Sequence, residues 1–424
     1  MVRLRMRARG FTALGMVLFL SMAATPLFAQ GTQEYIVEFQ PGTSLATRGT
    51  VVATSGAAVQ RTFASVGAAT VRVPNEQALA ALQRNAAVRS VVPNRPMFAF
   101  QHAQGKGAKP GSGSQGQLTP AGVTRVGIAA AGSDGSGVGV AVLDTGVDLS
   151  HPDLSGTIDA YNAFGGSCQD DQGHGTHVAG IIAARDNAID VVGVAPAATI
   201  FCVKVLDGAG NGSDDSVMAG LEWVYANRAT IRVVNMSLGR PGSVDDNPPL
   251  RDLIALLNTA GISIIAAAGN DPSLEASQQI PAAFPEVTAV ASTTAVGGSS
   301  ACRFLSSPVA ADTASYFTSD GTTVAISAPG EEREDVSRGC FIQSLGILST
   351  RLGGGTTRMS GTSMAAPHVA GVAARYHQQH PAWDANTVRF AIGNDADGKG
   401  NAPLNSPSGS YTFDTVREGI AQAP

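Results

Sequence analysis

The chain has 424 residues, 44% of them hydrophobic and 14% charged, with 50 Gly and 22 Pro. That length allows two or three domains and a large core, and the composition excludes a disordered or low-complexity chain. The net charge of −5 hides a division: residues 1–29 carry four Arg and no acid, residues 30–115 carry eight basic residues against three Glu, and residues 116–424 carry sixteen basic against thirty acidic residues. So acidic a body excludes a nucleic-acid binder, which needs a basic surface, and the basic segment ahead of it suits it as an electrostatic complement.

Met1 to Gly10 is basic, Phe11 to Ala24 is mostly apolar, and Ala29 sits behind Pro26 and Leu27 as a small cleavage residue. This is the pattern of a secretory signal over 1–29; the apolar run is short for a membrane anchor. No later apolar stretch is long enough to span a bilayer. Export makes Cys168, Cys202, Cys302 and Cys340 readable as disulfides. Three pairings exist, and Cys168–Cys202 with Cys302–Cys340 is favoured because each joins neighbours in sequence. No Cys lies in a motif that would activate a thiol, and no two are close enough for a zinc knuckle.

Residues 30–100 read as a small α+β unit. Glu34–Phe39 alternates as a half-buried strand, Ala68–Val73 and Val88–Val92 are further strands, and Asn75 caps a helix from Glu76 to about Arg84. The order suits a compact, ferredoxin-like βαββαβ unit. Residues 101–116 contain almost nothing apolar and read as a flexible, protease-accessible linker. The remainder, 117–424, alternates strands and helices. Its strands (Val138–Leu143, Ile200–Leu206, Ile231–Asn235, Ile262–Ala267, Val287–Ala291, Val324–Ser327) are nearly continuous apolar runs, as in a mostly parallel, doubly wound α/β sheet. Helices fall at His177–Ala184, at Asp214–Asn227 with Ser213 as cap, at Leu250–Ala260 with Gly261 as stop, and from about Ser363 to Gln379.

Four residues carry candidate chemistry. Asp144 ends the first sheet strand in Val140-Ala-Val-Leu-Asp-Thr-Gly146, where α/β sheets place their ligands; alone it reads as a turn cap. His174 lies in Gly173-His-Gly-Thr-His-Val-Ala-Gly180 at a helix start. With no HExxH glutamate, it suits a general base better than a metal ligand, and His177 reads as structural. Ser363, in Gly361-Thr-Ser-Met-Ala-Ala-Pro-His-Val-Ala-Gly371, opens a helix and alone reads as an N-cap; Pro367 is expected in the first turn. Asn270 ends Ala266-Ala-Ala-Gly-Asn270 just past a strand, as an oxyanion donor or merely a turn residue.

Together these motifs resemble those of the subtilisin-like serine proteases, over about residues 116–395. The resemblance implies a subtilisin-like fold and a secreted (extracellular or periplasmic) serine endopeptidase, made as a self-processing zymogen and acting on proteins or peptides. Ser363 would be the nucleophile, His174 the base, Asp144 its orienter and Asn270 the oxyanion donor. Ser237-Leu238-Gly239 and Ala267-Ala268-Gly269 would line the cleft. The 30–100 unit would be an inhibitory propeptide and folding aid whose tail, Val92 to Phe100, lies in that cleft; cleavage after Phe100 would imply a preference for large apolar residues. The resemblance also implies structural calcium held by Gln117, Asp153, Asn187 and the carbonyls of Arg185, Ile189 and Val191. Asp190 departs from the pattern by replacing a Gly, as an extra ligand or a solvated acid. No catalytic cofactor, nucleic acid or membrane anchor is expected, and the protein should be monomeric. An esterase or peptide ligase on the same triad, or an inactive binding protein on this fold, are the competing expectations.

Overall fold

The computed structural model describes residues 33–100, 116–128, 132–305, 308–403, 414 and 416–424. The signal segment 1–29 and all of the 101–116 linker except Gly116 lie outside the described residues.

The N-terminal unit runs β1 (Gln33–Phe39), α1 (Leu45–Thr54), β2 (Ala58–Phe63), β3 (Ala68–Val73), α2 (Glu76–Gln83) and β4 (Val88–Pro93). Its antiparallel sheet has the order β2-β3-β1-β4. Alternation along β1 and β3 puts Tyr35, Val37, Phe39, Val71 and Val73 on one face, where they pack against Val51 and Val52 of α1 and Ala78 and Leu82 of α2. Ser44 and Asn75 cap the two helices. The opposite face offers Ile36, Phe63 and Ala68 to the body, where they join the cluster containing Val217, Leu221 and Leu253.

After β4 a short strand, β5 (Pro96–Ala99), leaves the unit. The body follows with α3 (Ala121–Arg125), β6 (Gly139–Asp144), β7 (Ile158–Asn162), α4 (His174–Ala183), β8 (Thr199–Lys204), β9 (Asn211–Ser213) and α5 (Asp214–Ala226). Next come β10 (Ile231–Met236), β11 (Leu238–Pro241), α6 (Pro248–Thr259), β12 (Ser263–Ala267), β13 (Gln279–Ile280), β14 (Thr288–Thr294) and β15 (Val324–Val336). Then follow β16 (Ile342–Thr350), β17 (Thr356–Met359), α7 (Thr362–Gln379) and α8 (Ala385–Asn394). Strands β7-β8-β6-β10-β12-β14-β15 are parallel, and β16 and β17 extend that edge antiparallel. The apolar strands are buried on both faces, α4 and α7 on one side and α5 and α6 on the other. The chain moves from β6 outward to β8 and β7 on one side and to β10 on the other, so the switch point, and the crevice it opens, lies at the carboxyl ends of β6 and β10.

Two elements differ from expectation. Strand β15 continues nine residues beyond its expected end at Ser327, through Glu331-Glu-Arg-Glu-Asp-Val336, because pairing with β16 satisfies its backbone. Pro367 lies inside α7, not in its first turn, and Gly361, at φ 150°, is the N-cap. A proline there cannot donate to the carbonyl four residues earlier, which is that of Ser363. The Ser237 hydroxyl donates to that carbonyl instead, at 2.8 Å.

Candidate active site

Asp144 is the last residue of β6, and its Oδ1 accepts from the Thr145 amide at 2.7 Å. The loop that follows β7 is organised by Asp170. This buried carboxylate accepts from the amides of Gln172, Gly173 and Thr176, each at 3.0 Å, and from the Thr145 hydroxyl at 2.9 Å. The Thr145 hydroxyl in turn accepts from Gly175 at 3.0 Å, which ties the start of α4 to the end of β6. A disulfide from Cys168 to Cys202 of β8 anchors the same loop to the sheet. The result is a hydrogen bond of 2.8 Å between His174 Nδ1 and Asp144 Oδ1, with both side chains fully buried. Burial of an Asp in this way is sustainable only with such partners.

His177 has a different role. Its Nε2 faces the Ile347 carbonyl at 3.0 Å, and burial pushes its pKa down to about 3, which keeps it neutral and structural.

Ser363 is the second residue of α7. Its hydroxyl donates to the Ser237 carbonyl at 2.8 Å, and the Ser237 hydroxyl closes the reciprocal bond to the Ser363 carbonyl. His174 Nε2 has no hydrogen-bond partner among the described residues. Asn270 follows β12, its Oδ1 accepting from the Thr362 amide at 2.9 Å and the Thr362 hydroxyl at 2.8 Å. Those two bonds fix the amide so that its Nδ2 points outward as a donor.

That donor has an acceptor. Asn270 Nδ2 bonds the carbonyl of Phe100 at 2.8 Å. The Phe100 amide donates to the Ser237 carbonyl at 3.3 Å, the same oxygen that the Ser363 hydroxyl uses. Ser363 Oγ and the Phe100 backbone are thereby neighbours. Upstream of Phe100, β5 lies antiparallel between β11 and β9, pairing Ala99 with Leu238, Phe98 with Gly239 and Met97 with Gly212. Met97 is fully buried, whereas Phe98 is 42% exposed, as strand alternation requires. Phe100 packs against the cluster that holds Ala267. Gly239 is needed for this fit: a Cβ there would stand 2.6 Å from Phe100 Cζ. Ala268 is buried at the carboxyl end of β12, and Gly269, at φ 119°, donates its amide to the Thr362 hydroxyl oxygen at 3.3 Å and leads into Asn270.

The expected calcium residues also come together. Gln117 Nε2 faces the carbonyls of Arg185 and Val191, and its Oε1 accepts from Ala188 at 3.3 Å. Asp153 Oδ2 accepts from the Val191 amide at 3.1 Å, while Oδ1 is buried without a hydrogen-bond partner among the described residues. Burial, aided by the charge of Asp190, raises the Asp153 pKa to about 6. Asn187 Oδ1 accepts from Ile189, and Ala188 and Asp190 hold φ of 70° and 46°, so Asp190 sits where glycine is the easier residue. One orphaned carboxylate oxygen among amide and carbonyl oxygens fits a hard cation; turning the Gln117 amide over would add its oxygen. No cluster of three or more His, Cys, Asp or Glu suited to a metal occurs among the described residues, so any cation here would rest largely on neutral oxygens.

The second disulfide joins Cys302 to Cys340 at the β15–β16 hairpin. Sequence reasoning missed Asp170, Thr145 and Thr362. An acidic residue just before a helix start was the available signal for Asp170, and adjacence to Ser363 for Thr362. No helix among the described residues is long and apolar enough to cross a membrane.

Known proteins resemble this chain in sequence and in fold. The model of the subtilase family matches residues 135–410. Subtilisin E of Bacillus subtilis (strain 168) is 33% identical over 410 residues, covering 91% of this chain and 93% of its own. The crystal structure of a cold adapted subtilisin-like serine proteinase covers 69% of this chain and 91% of its own, with 29% identity and a TM-score of 0.54. Fervidolysin from Fervidobacterium pennivorans, at 22% identity, shares the fold over 94% of this chain and 61% of its own, with a TM-score of 0.68. The chain therefore belongs to the subtilase family and is a serine endopeptidase.

Proposed function

We propose that the protein is an exported zymogen that cuts its own chain after Phe100, using Ser363, His174, Asp144 and Asn270, and then hydrolyses proteins after large apolar residues. The observation that carries this reading is the grip on Phe100: its carbonyl on Asn270 Nδ2, its amide on the Ser237 oxygen that also holds Ser363 Oγ. A peptide strand held by both edges with one carbonyl in a donor site is a substrate pose.

In the reaction, the Ser363 hydroxyl leaves the Ser237 carbonyl, gives its proton to His174 Nε2 and attacks the Phe100 carbonyl carbon. Asp144 accepts from the Nδ1–H and stabilises the imidazolium. Negative charge collects on the carbonyl oxygen, where Asn270 Nδ2 and the Ser363 amide receive it. His174 then returns the proton to the departing amine, and water resolves the acyl-enzyme by the same steps in reverse order.

Residues 30–100 act as the intramolecular inhibitor until released, and 101–116 is trimmed afterwards. Calcium would be held by Gln117, Asp153, Asn187 and the carbonyls of Arg185, Ile189 and Val191, where it supplies positive charge that braces the loop; it takes no part in the chemistry. Subtilisin-like relatives and the basic, then apolar start of the chain support export. Terminal sequencing of freshly processed protein tests the reading: a new amino terminus at Gln101 is expected, and a first cut elsewhere would refute the assignment of Phe100.

A further inference from the structure

The tail is held by more than its backbone and its apolar side chains. Arg95 is the sixth residue before the proposed scissile bond. Its Nη1 lies 2.6 and 2.7 Å from the two oxygens of Asp246, in the loop between β11 and α6. Its carbonyl accepts from the Asp214 amide at 2.9 Å, which fixes where the side chain leaves the strand.

The body's own side of this contact is a cluster of three charges. Arg240 of β11 is nearly buried and forks onto Asp214, Nε to Oδ1 at 3.0 Å and Nη2 to Oδ2 at 2.8 Å. Its remaining Nη1 reaches Asp246. Two carboxylates therefore share one guanidinium, and Arg95 supplies the missing positive charge. With Arg95 in place Asp246 is only 17% exposed, so a cation seated there is paired with a carboxylate partly shielded from water. Asp245, beside it, is exposed and adds to the negative field.

We infer that Asp246, braced by Arg240 and Asp214, forms an acidic subsite selecting Arg or Lys six residues before the scissile bond. The inference rests on the cleft reading above and extends it. A substrate cation there would replace Arg95 without disturbing the apolar positions held by Met97 and Phe100. Because one partner is partly exposed, the preference is moderate and salt-sensitive.

The test uses the full chain after it has matured, with three peptides. All carry Phe at the cleaved position and Met three residues earlier; the sixth position is Arg, norleucine or Glu. The Arg peptide is expected to show kcat/KM about 5- to 20-fold above the norleucine peptide at low salt, with Glu lowest. The ratio should fall to about twofold or less in 0.5 M salt. It should also collapse in Asp246→Asn, where the same enzyme meets both peptides and each serves as the other's control. Equal cleavage of all three peptides by the parent enzyme overturns the subsite and leaves the cleft reading standing. A preference that ignores salt and survives Asp246→Asn also overturns it. If none of the peptides is cut after Phe, the cleft reading itself fails, and the subsite with it.

Discussion

The N-terminal unit and the body each contain a sheet, but they bury them differently. The body covers both faces of its sheet with its own helices. The N-terminal unit covers only one face; Ile36, Phe63 and Ala68 on the other reach their packing partners on α5 and α6 of the body. So small a unit is marginal on its own, and it depends on the body to bury its second face. Around that apolar patch the contact is charged. Arg61 meets Asp215 at 3.1 Å and Tyr161 Oη at 3.0 Å; Ser65 binds Glu222; Arg89 bridges Glu38 and Asp252. The basic and acidic halves seen in the composition meet here residue by residue. An apolar centre with a charged rim makes the contact firm at low salt and releasable.

The largest effect expected on the body's side is at the donor that grips Phe100. Asn270→Ala should lower kcat on a Phe-containing peptide by about 100- to 1,000-fold, the range known for the corresponding donor of subtilisin. An unchanged kcat would remove Asn270 from the chemistry. On the N-terminal side, Arg61→Ala combined with Arg89→Ala should speed release of the cleaved unit by about tenfold, followed as the delay before activity appears. Raising salt should produce much the same acceleration in the parent chain and little more in the double variant.

The body's loop at Asp153 gives a third contrast. Chelation of calcium should lower the melting temperature by about 5–10 °C, the equivalent of roughly 3 kcal/mol of linked binding. In Asp153→Asn the chelator should change little. Equal melting with and without chelator in the parent protein would contradict a calcium role.

The smallest effect concerns acids that the mechanism does not use. Glu331 and Glu334 are fully buried on β15, and burial raises both carboxyls, Glu331 furthest because Glu334 also repels its charge. The nearby Tyr316 phenol is pushed up to about 12, by burial first and then by these two acids. A folded-state pKa above the unfolded one means that folding takes up protons. The stability they contribute is complete below the ordinary carboxylate value of 4.5 and is lost as pH rises toward the folded values. Melting between pH 5 and 8 should therefore fall more steeply in the parent than in Glu331→Gln/Glu334→Gln, by up to about 1.4 kcal/mol per pH unit for each proton taken up. Parallel profiles would show that the pair is not protonated in the folded protein.

The sequence revealed what is local. Apolar runs announced the central strands, and short motifs announced Asp144, His174, Asn270 and Ser363. Features made by distant pairing were hidden. Helix α1 and strand β2 are largely exposed and show no clean alternation. The polar end of β15 is a strand only because β16 lies beside it. Pro367 looked like a helix start, yet it sits within α7, where the carbonyl it leaves free is taken by Ser237 from another strand end. Asp170 and the Arg240–Asp214–Asp246 cluster acquire their meaning only from partners far along the chain.

The central claim is that the body's own triad cuts the chain that the N-terminal unit threads through its cleft. Ser363→Ala, purified and incubated alone, tests it most directly by mass spectrometry. The account predicts that residues 30–100 stay covalently joined to the body, while the parent chain separates at the Phe100–Gln101 bond. Continued separation at that bond in purified Ser363→Ala protein would contradict it.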